Sequence, residues 1–233
     1  MTLRIVTWNI RAGGGARVPR IAAALAEQAA DVLVLTEYRD GPSGPPLRDA
    51  LADLGYRWLT AHRPPPGRNG VLIASKRPIR EHGPISSTLP EPWRLLHTSI
   101  GRVHLIGVYM PNLRAKIPYW EALIASLSQR TQTSAVAIGD FNTCRAFVDE
   151  PGSFDVTARF MDTVQEAGFR DLWRDRYPEG REFSWYSHRR NGFRIDHAFA
   201  SPRIARRTAD IGYVHTVREA GLSDHSMLRL DLR

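Results

Sequence analysis

Residues 135–142 read Ala-Val-Ala-Ile-Gly-Asp-Phe-Asn, and this segment constrains the fold more than any other part of the chain. Its small and branched apolar residues predict a buried strand that stops at Gly139. Asp140 and Asn142 are two positions apart, so an extended backbone would present both side chains on one face. Asp and Asn are also common turn residues. The segment alone therefore leaves two interpretations open, a turn that closes a strand and part of a functional site.

Polar residues end or border three further strand-like runs. Residues 3–9 end in Asn9, residues 31–37 end in Glu37, and Asp224-His225 precedes an alternating run at 228–232. Each has an ordinary explanation as a capped strand, a solvated side chain or a turn. Four such clusters in one chain favour a single shared site over separate coincidences.

Helical and strand-like patterns alternate along the chain. The predicted helices cover residues 20–29, 47–54, 117–128 and 160–168, and the predicted strands cover 3–9, 32–35, 71–74, 103–109, 135–139, 183–186, 195–200 and 227–232. Segments 41–46 and 64–70 are rich in Pro and Gly and are expected to be surface loops. The alternation predicts a layered α/β fold. Without a repeat or a linker-like segment, residues 1–233 are expected to form one domain.

Composition excludes several classes of protein. No apolar run approaches the roughly 20 residues of a membrane-spanning helix, and the N-terminus enters a strand pattern without a signal segment. A single cysteine, Cys144, rules out an internal disulfide framework and a multi-cysteine metal site. We expect a cytoplasmic protein, and nothing in the sequence indicates an obligate protein partner.

The charge balance favours a polyanionic partner. The net charge is +8, and the stretch from 170 to 207 holds ten Arg against five acidic residues. Such a balance is typical of proteins that bind nucleic acid or an acidic membrane surface. Because 30 of the 32 basic residues are Arg, genome composition could also contribute. We expect DNA as the partner.

The available metal ligands are mainly oxygen atoms. Glu37, Asp224 and the nearby Asn9 suit a hard cation such as Mg²⁺, with Mn²⁺ as a substitute. Six histidines show no ligand spacing and are expected to be surface or structural residues: His62, His82, His97, His104, His188 and His215. Together with the single cysteine, this pattern argues against a structural zinc site.

Six short motifs follow one another along the chain, namely Thr7-Trp8-Asn9, Leu35-Thr36-Glu37, Val108-Tyr109-Met110-Pro111-Asn112, Gly139-Asp140-Phe141-Asn142, Arg194-Ile195-Asp196 and Ser223-Asp224-His225. In this order they resemble the endonuclease/exonuclease/phosphatase superfamily, and in particular its exonuclease III-type abasic-site endonucleases. The resemblance implies an α/β four-layer sandwich, in which two packed mixed β-sheets are flanked by helices. It places the site at one edge of the sandwich.

The resemblance also implies roles for individual residues. In the family, the residues that match Glu37 and Asn9 hold or support the metal, and the one that matches Asp224 lies close to it. Family members use the residues that match Tyr109 and Asn112 at the scissile phosphate. The Tyr and Asn would therefore contact the substrate, although Pro-Asn is also a good turn pair.

Hydrolysis of a phosphodiester requires an oriented water and stabilisation of the charge that develops on phosphorus. Asp140 is the candidate to position or deprotonate the water, and Asn142 to hold both in place. His225, if charged, can donate to a non-bridging phosphate oxygen. Asp196 is the family match for a carboxylate that orients this histidine and raises its pKa. Without the resemblance, an ion pair between Asp196 and Arg194 would be the simpler interpretation.

Residues 183–186 and 192–196 resemble the exonuclease III-type segment that lines the pocket for a flipped-out abasic sugar. Trp185, Phe193 and Ile195 would line that pocket, although all three could equally be core residues. Basic side chains are expected to contact the DNA backbone, and the candidates are Arg114, Lys116, Arg189 and Arg190. Each of these could also be solvated surface.

The sequence departs from the exonuclease III-type pattern at two positions. Arg11 stands where several abasic-site endonucleases have Asp or Asn, which favours one bound cation over two. His197 stands where those enzymes usually have an apolar or aromatic residue.

The sequence therefore predicts a Mg²⁺-dependent phosphodiesterase, acting on DNA as an abasic-site endonuclease or a 3′-exonuclease. One alternative is a phosphatase or phosphodiesterase for small or lipid-linked phosphates, which His197 and the short chain leave open. Another is a non-catalytic binding module, against which the joint presence of the polar motifs argues.

Overall fold

Two six-stranded sheets pack against each other in the computed structural model, which describes residues 2–152 and 155–233. The first sheet has the order β13-β14-β1-β2-β4-β3. Its strands are β1 (Leu3–Asn9), β2 (Val32–Tyr38), β3 (Trp58–Thr60), β4 (Gly70–Ser75), β13 (Thr208–Val214) and β14 (Met227–Leu232). Only β1 and β2 run parallel, so the sheet is mixed.

The second sheet has the order β5-β6-β7-β8-β12-β9 and is also mixed, because β7 and β8 run parallel. Its strands are β5 (Ile79–Pro84), β6 (Leu95–Ile100), β7 (Val103–Tyr109), β8 (Ser134–Asp140), β9 (Arg170–Asp171) and β12 (Asp196–Ala200). A separate hairpin joins β10 (Trp185–Tyr186) to β11 (Gly192–Phe193).

Helices cover the outer faces of both sheets. They are α1 (Val18–Glu27), α2 (Gly44–Asp53), α3 (Ile117–Ser128), α4 (Arg159–Glu166), α5 (Leu172–Arg176), α6 (Pro202–Ala205) and α7 (Thr216–Glu219), with three 3₁₀ turns at Gly15–Arg17, Pro92–Arg94 and Leu113–Lys116. One apolar core lies between the sheets, a second lies under α1 and α2, and a third lies under α3 and α4. The predicted four-layer α/β sandwich is therefore confirmed. In the described ranges, no helix has both the length and the apolar character needed to cross a membrane.

Two glycines allow the close packing that the sandwich needs. A Cβ at Gly107 would come within 2.8 Å of Val71 on the facing sheet, so a side chain at this position would push the sheets apart. Gly139 has φ of +151°, and a Cβ there would lie 1.9 Å from the Val108 carbonyl oxygen. Only glycine fits this position, which sets the backbone direction just before Asp140.

Several local predictions need correction. Residues 41–46 were expected to form a loop, but α2 already begins at Gly44. Pro45 and Pro46 occupy the first turn, where the missing N–H has no helical partner to lose. The run at 183–186 is a strand only at Trp185–Tyr186, and the run at 195–200 begins at Asp196. Strands β3, β5, β6, β9, β11 and β13 were not predicted, because their pairing with distant segments determines them more than their own sequence does.

A buried ion cluster lies behind β12. The guanidinium of Arg194 is fully buried and approaches Asp149 Oδ1 and Asp171 Oδ2 at 2.7 Å each. Burial would raise the pKa of Asp171, but the Arg194 charge outweighs this effect and holds the pKa well below its usual value. The cluster fixes the start of β12 and therefore the backbone around Ile195 and Asp196.

Replacing Arg194 by Met should destabilise the fold strongly, because two carboxylates would remain buried without their main counter-charge. Removing one partner of a buried ion pair typically costs about 3–5 kcal/mol. Urea unfolding of Arg194→Met and of the exposed Arg190→Met would measure the effect. We expect the control to change by no more than about 0.5 kcal/mol. Equal stability of the two variants would contradict a structural role for the cluster.

Candidate active site

The ends of strands from both sheets meet at one edge of the sandwich. Parallel β1 and β2 finish at one edge of the first sheet, parallel β7 and β8 finish at one edge of the second, and the Asn9–Asp140 contact shows that the four strand ends lie together. They deliver Asn9, Glu37, Tyr109 and Asp140. Antiparallel β12 begins there with Asp196 directly opposite Asp140. Residues 224 and 225 reach the same edge just before β14, which runs antiparallel to β1.

Asp140 is a buried carboxylate held by two hydrogen bonds. Its Oδ1 accepts from the backbone N–H of Asn142 at 2.9 Å, and its Oδ2 accepts from Asn9 Nδ2 at 3.0 Å. Burial raises the pKa of Asp140 to about 7, although the nearby His225 acts in the opposite direction. A carboxyl group whose pKa lies near neutrality is suited to accept a proton.

His225 is paired with a second buried carboxylate. Its Nδ1 lies 2.9 Å from Asp196 Oδ2, and its Nε2 lies 4.0 Å from Asp140 Oδ2. Burial alone would lower the pKa of His225, but the charges of Asp196 and Asp140 outweigh it and raise the pKa to about 10. The imidazole is therefore a cation at neutral pH, with both ring nitrogens acting as donors.

Glu37 has an unusual backbone conformation. It lies at a register shift in the pairing of β2 with β4 and has φ of +56°, a left-handed value that is uncommon for a residue other than glycine. Its Oε2 accepts from the Ala12 N–H at 2.7 Å, and its Oε1 accepts from Asn9 Nδ2 at 3.2 Å and from the Tyr109 hydroxyl at 3.4 Å. Strained conformations of this kind concentrate at functional sites.

Two asparagines orient the acidic groups. The Asn9 amide donates to both Glu37 and Asp140, while its Oδ1 accepts from the Arg11 N–H at 2.9 Å. Asn9 therefore orients both carboxylates, and its amide oxygen keeps a second lone pair beside the one that accepts from Arg11. Asn142 also has a left-handed backbone, with φ of +46°, and its Nδ2 donates to the Met110 carbonyl at 2.8 Å.

A cavity of about 780 Å³ opens over these residues. Its lining includes most of the predicted site residues, namely Asn9, Glu37, Tyr109, Asn112, Arg114, Lys116, Asp140, Asn142, Trp185, Phe193, Ile195, Asp224 and His225. Asp196 lies behind His225 and does not line the cavity. The structure thus brings together in one place the motifs that the sequence had distributed over the whole chain.

An aromatic wall bounds one side of the cavity. The rings of Trp185 and Phe193 are 5.5 Å apart, and Trp185 Nε1 donates to Asp224 Oδ2 at 3.2 Å. Both aromatic side chains are half-buried, whereas Ile195 is buried and only borders the cavity. The alternative that all three are core residues therefore holds for Ile195 alone.

The donor set fits a hard cation better than zinc. Glu37 and Asp224 offer carboxylate oxygens to the cavity, as Mg²⁺ or Mn²⁺ requires. The ligand atoms of Asp140, Asp196 and His225 also lie within 4.8 Å of one another. Because His225 Nδ1 is hydrogen-bonded to Asp196 and its Nε2 faces Asp140, we interpret this second group as a proton-handling unit.

The basic residues divide into two kinds. Lys116 is buried, which excludes the alternative that it is solvated surface, and its Nζ donates to the Asn142 carbonyl and to Asp155 Oδ2. The 3₁₀ turn at Leu113–Lys116 directs this side chain to the lining of the cavity, and its contact with a DNA phosphate stays a prediction. Arg114 is exposed at the cavity rim, and Arg189 and Arg190 are exposed between β10 and β11.

Other sequence-based alternatives are also resolved. Arg194 pairs with Asp149 and Asp171, which leaves Asp196 to His225. His197 is fully buried, and its Nε2 lies 2.8 Å from the Thr143 carbonyl, so it does not line the cavity. The exposed Arg11 has φ of +53° and lies in the loop that leads to the Ala12 contact with Glu37.

Sequence reasoning missed some residues of the cavity. Leu113 and Val156 are exposed apolar side chains at its rim, and Asp155 also lines it. Leu113 directly follows the motif that ends in Asn112, but no pattern in the sequence indicated its exposure.

The charge of His225 should be measurable and should depend on Asp196. We expect the ring to remain protonated through pH 8 in the intact protein, because its pKa is raised to about 10. In Asp196→Asn the pKa should fall, since burial then has less opposition. Titration of the imidazole nitrogens by NMR, assigned with His225→Gln, would test this, with the exposed Asp53→Asn as a control. A neutral ring at pH 7 in the intact protein would refute the charged pair.

Comparisons with known proteins agree with this fold. The exodeoxyribonuclease III of Haemophilus influenzae is 24% identical over 264 aligned positions, which cover 96% of this chain and 97% of that protein. An AP endonuclease from Archaeoglobus fulgidus has a TM-score of 0.86 at 24% identity, with 98% of each chain covered. The 3′-5′ exonuclease NExo from Neisseria meningitidis has a TM-score of 0.84 at 24% identity, with 99% of each chain covered.

A sequence model of the endonuclease/exonuclease/phosphatase family matches residues 6–225, nearly the whole chain. This range contains Asn9, Glu37, Asp140 and His225, whose side chains meet at the cavity. The superfamily that the six motifs predicted is confirmed, and the chain belongs to the endonuclease/exonuclease/phosphatase family.

Proposed function

We propose that this protein is a metal-dependent phosphodiesterase that cleaves DNA, as an abasic-site endonuclease or a 3′-exonuclease. The observation that supports this most strongly is the pairing of a buried carboxylate with a cationic histidine at the floor of an open cavity. Asp140 Oδ2 and His225 Nε2 are 4.0 Å apart, which leaves both groups able to contact one reacting phosphate and its attacking water.

Asp140 is the group that would activate the water. Asn9 and Asn142 occupy one lone pair on each of its oxygens and so fix the orientation of the carboxylate. The pKa raised by burial makes this group a stronger base than an ordinary aspartate. Asp140 would accept the proton of the water as the water oxygen attacks phosphorus.

Donors around the cavity would stabilise the phosphate. The Nε2–H of His225 points a positive charge toward the cavity, while Asp196 keeps the ring oriented. Asn112 and the Tyr109 hydroxyl also line the cavity and can donate to phosphate oxygens. Donors that are held in place before the reaction lower the cost of the charge that develops in the transition state.

Glu37 and Asp224 would hold a single Mg²⁺, or Mn²⁺ in its place, with Asn9 as support. Such a cation supplies neutralisation of the phosphate charge and stabilises the leaving oxygen. Arg11, two residues after Asn9 of the first motif, adds no carboxylate for a second cation.

DNA is the favoured substrate for two reasons. The Trp185–Phe193 wall offers an apolar surface beside the polar floor, which suits an extruded sugar. Exposed arginines at the rim and on the β10–β11 hairpin could contact flanking phosphates. Among the similar structures, a variant of the 3′ phosphatase NExo from Neisseria is bound to a product DNA hairpin, at 24% identity and a TM-score of 0.85.

The main alternative is an enzyme for small or lipid-linked phosphates. His197 had kept this alternative open from the sequence, but the residue is buried away from the cavity. The short chain is then the remaining sequence feature that favours this alternative. A comparison of substrates must decide between DNA and the small phosphates.

A panel of substrates tests the proposal. Intact, nicked and abasic duplexes would be incubated beside an inositol phosphate and a lipid phosphodiester, with Mg²⁺, with Mn²⁺ and with excess chelator. We expect abasic or 3′-end cleavage that the chelator abolishes and either metal restores. Asp140→Asn should slow cleavage by about 10²–10⁴-fold, because it removes the base, while duplex affinity changes little.

Three other outcomes of the panel would contradict the substrate, the catalytic activity or the metal dependence. Rapid turnover of the small phosphates without DNA cleavage would favour the alternative enzyme. No turnover of any substrate by a folded protein would favour a binding module. Full activity in excess chelator would refute the metal.

The exposed arginines of the hairpin should govern DNA binding, whereas the aromatic wall should govern cleavage at an abasic site. The logarithm of affinity should fall with the logarithm of salt by roughly 0.9 per phosphate contacted, and the double variant Arg189→Ala, Arg190→Ala should flatten this slope. Trp185→Ala should reduce abasic-site cleavage more than duplex binding, because an extruded sugar needs an apolar contact and not charge. Binding isotherms at several salt concentrations and single-turnover rates would separate the two effects. A salt slope unchanged by the double variant would remove the hairpin from the interface.

A further inference from the structure

Three histidines from neighbouring strands converge on the outer face of the second sheet, away from the active site. His97 and Ser99 alternate along β6, so their side chains share a face, and Ser99 is paired directly with His104 on β7. The opposite face of β6 carries Leu96, which lies in the core between the sheets. A register shift between Glu81 and Gly83 on β5 lies beside His97 and places His82 at the same group.

The convergence is close and involves ring nitrogens. His97 Nε2 lies 3.0 Å from His104 Nδ1, and the Ser99 hydroxyl lies 2.8 Å from His82 Nε2 and 3.3 Å from His104 Nδ1. One nitrogen from each histidine lies within 4.8 Å of those of the other two. The His82 and His97 rings stack with their centroids 4.1 Å apart.

This group borders its own cavity of about 770 Å³, between the sheet and α3. Among the described residues, none lines both this cavity and the active-site cavity. The group is therefore open to solvent ions on one side, through the exposed His82, and is anchored on the other by the buried His97.

From this geometry we propose a second metal site, at which His82, His97 and His104 bind a transition-metal ion such as Zn²⁺. Imidazole is the side chain that suits Zn²⁺ and its neighbours in the first transition row. Three protein ligands leave one position for water or another ligand. The inference is independent of the proposed nuclease activity.

The ring nitrogens lie near the spacing that such an ion needs, and the stacked His82 ring must turn for its lone pair to converge with the other two. With Zn–N bonds of about 2.0–2.1 Å in a tetrahedron, ligand nitrogens lie about 3.3–3.4 Å apart. The exposed His82 is free to approach the other two rings. Ser99 touches two of the rings and can hold their orientation, as residues next to metal ligands commonly do.

The charge state of the rings supports the assignment. Burial, with smaller contributions from His82, Arg130 and His104, lowers the pKa of His97 to about 3. Burial likewise lowers the pKa of His82 and of His104. Neutral imidazole is the form that binds metal, and the convergence of the three ring nitrogens carries the assignment.

One feature of the surroundings opposes a cation. Arg130 lines the same cavity and places a positive charge near the rings, and Arg80 adds to it for His82. Glu121 on α3 also lines the cavity and offsets part of this charge. The site should therefore bind Zn²⁺ more tightly when Arg130 is neutralised.

A bound ion would stabilise β5 at the edge of the second sheet. Strand β5 is the outermost strand, and it pairs only with β6 in the described sheet. A metal shared by β5, β6 and β7 would cross-link three strands, and an ion that binds only the folded state raises its stability by mass action.

The test uses metal-free protein in excess Mg²⁺, so that the oxygen donors of the active site are occupied. Zn²⁺ binding would be measured by calorimetry, Co²⁺ binding by visible absorption, and the thermal midpoint of unfolding with and without Zn²⁺. We expect one Zn²⁺ per chain, a Co²⁺ spectrum of low symmetry and a raised midpoint. Loss of a residue that merely supports a ligand already weakens metal binding by about 10–100-fold, so His82→Gln with His104→Gln should weaken it at least as much.

Matched variants make the result decisive. His62→Gln with His188→Gln removes two histidines elsewhere and should leave Zn²⁺ binding and the midpoint shift unchanged. Glu37→Gln should also leave them unchanged, whereas Arg130→Gln should tighten binding. Zn²⁺ affinity that is equal in the two double variants, or no Zn²⁺ bound in excess Mg²⁺, would overturn the proposal.

Discussion

Two hydrogen bonds between the sheets hold the candidate active site together. Asn9 on the first sheet donates to Asp140 on the second, and His225 beside the first sheet binds Asp196 on the second. Neither sheet contains the site alone, because each contributes only one side of these contacts. The site therefore depends on how closely the sheets pack, and Gly107 permits that approach where a larger residue would contact Val71.

Buried negative and positive charges compensate each other in the candidate active site. Asp140 and Asp196 would be costly to bury as isolated anions, and the His225 cation lies between them. A similar balance at Arg194, with Asp149 and Asp171, fixes the start of β12. Together the two clusters give the catalytic candidates one defined geometry, and Glu37 and Asn142 add left-handed backbone conformations that a less constrained loop would relax.

The polar residues that lie at the ends of strands could be predicted from the sequence. Asn9, Glu37 and Asp140 could be predicted from the sequence because neighbouring parallel strands finish at the same edge of a sheet. The order of the six motifs along the chain indicated the family. The burial of Lys116 could not be predicted, because a single turn decides whether its side chain faces solvent or the cavity floor. The histidine group was not foreseen either, since strands β5 and β6 were not predicted and only their pairing with β7 brings the rings together.

The most direct test of the account is a double-mutant cycle on Asp140 and His225, measured as the single-turnover rate of cleavage of an abasic duplex. If the two residues act on one phosphate in one step, their losses should not add. The variant with both Asp140→Asn and His225→Gln should then be about as slow as the slower single variant. A double variant whose loss equals the product of the two single losses would contradict a joint role across the two sheets.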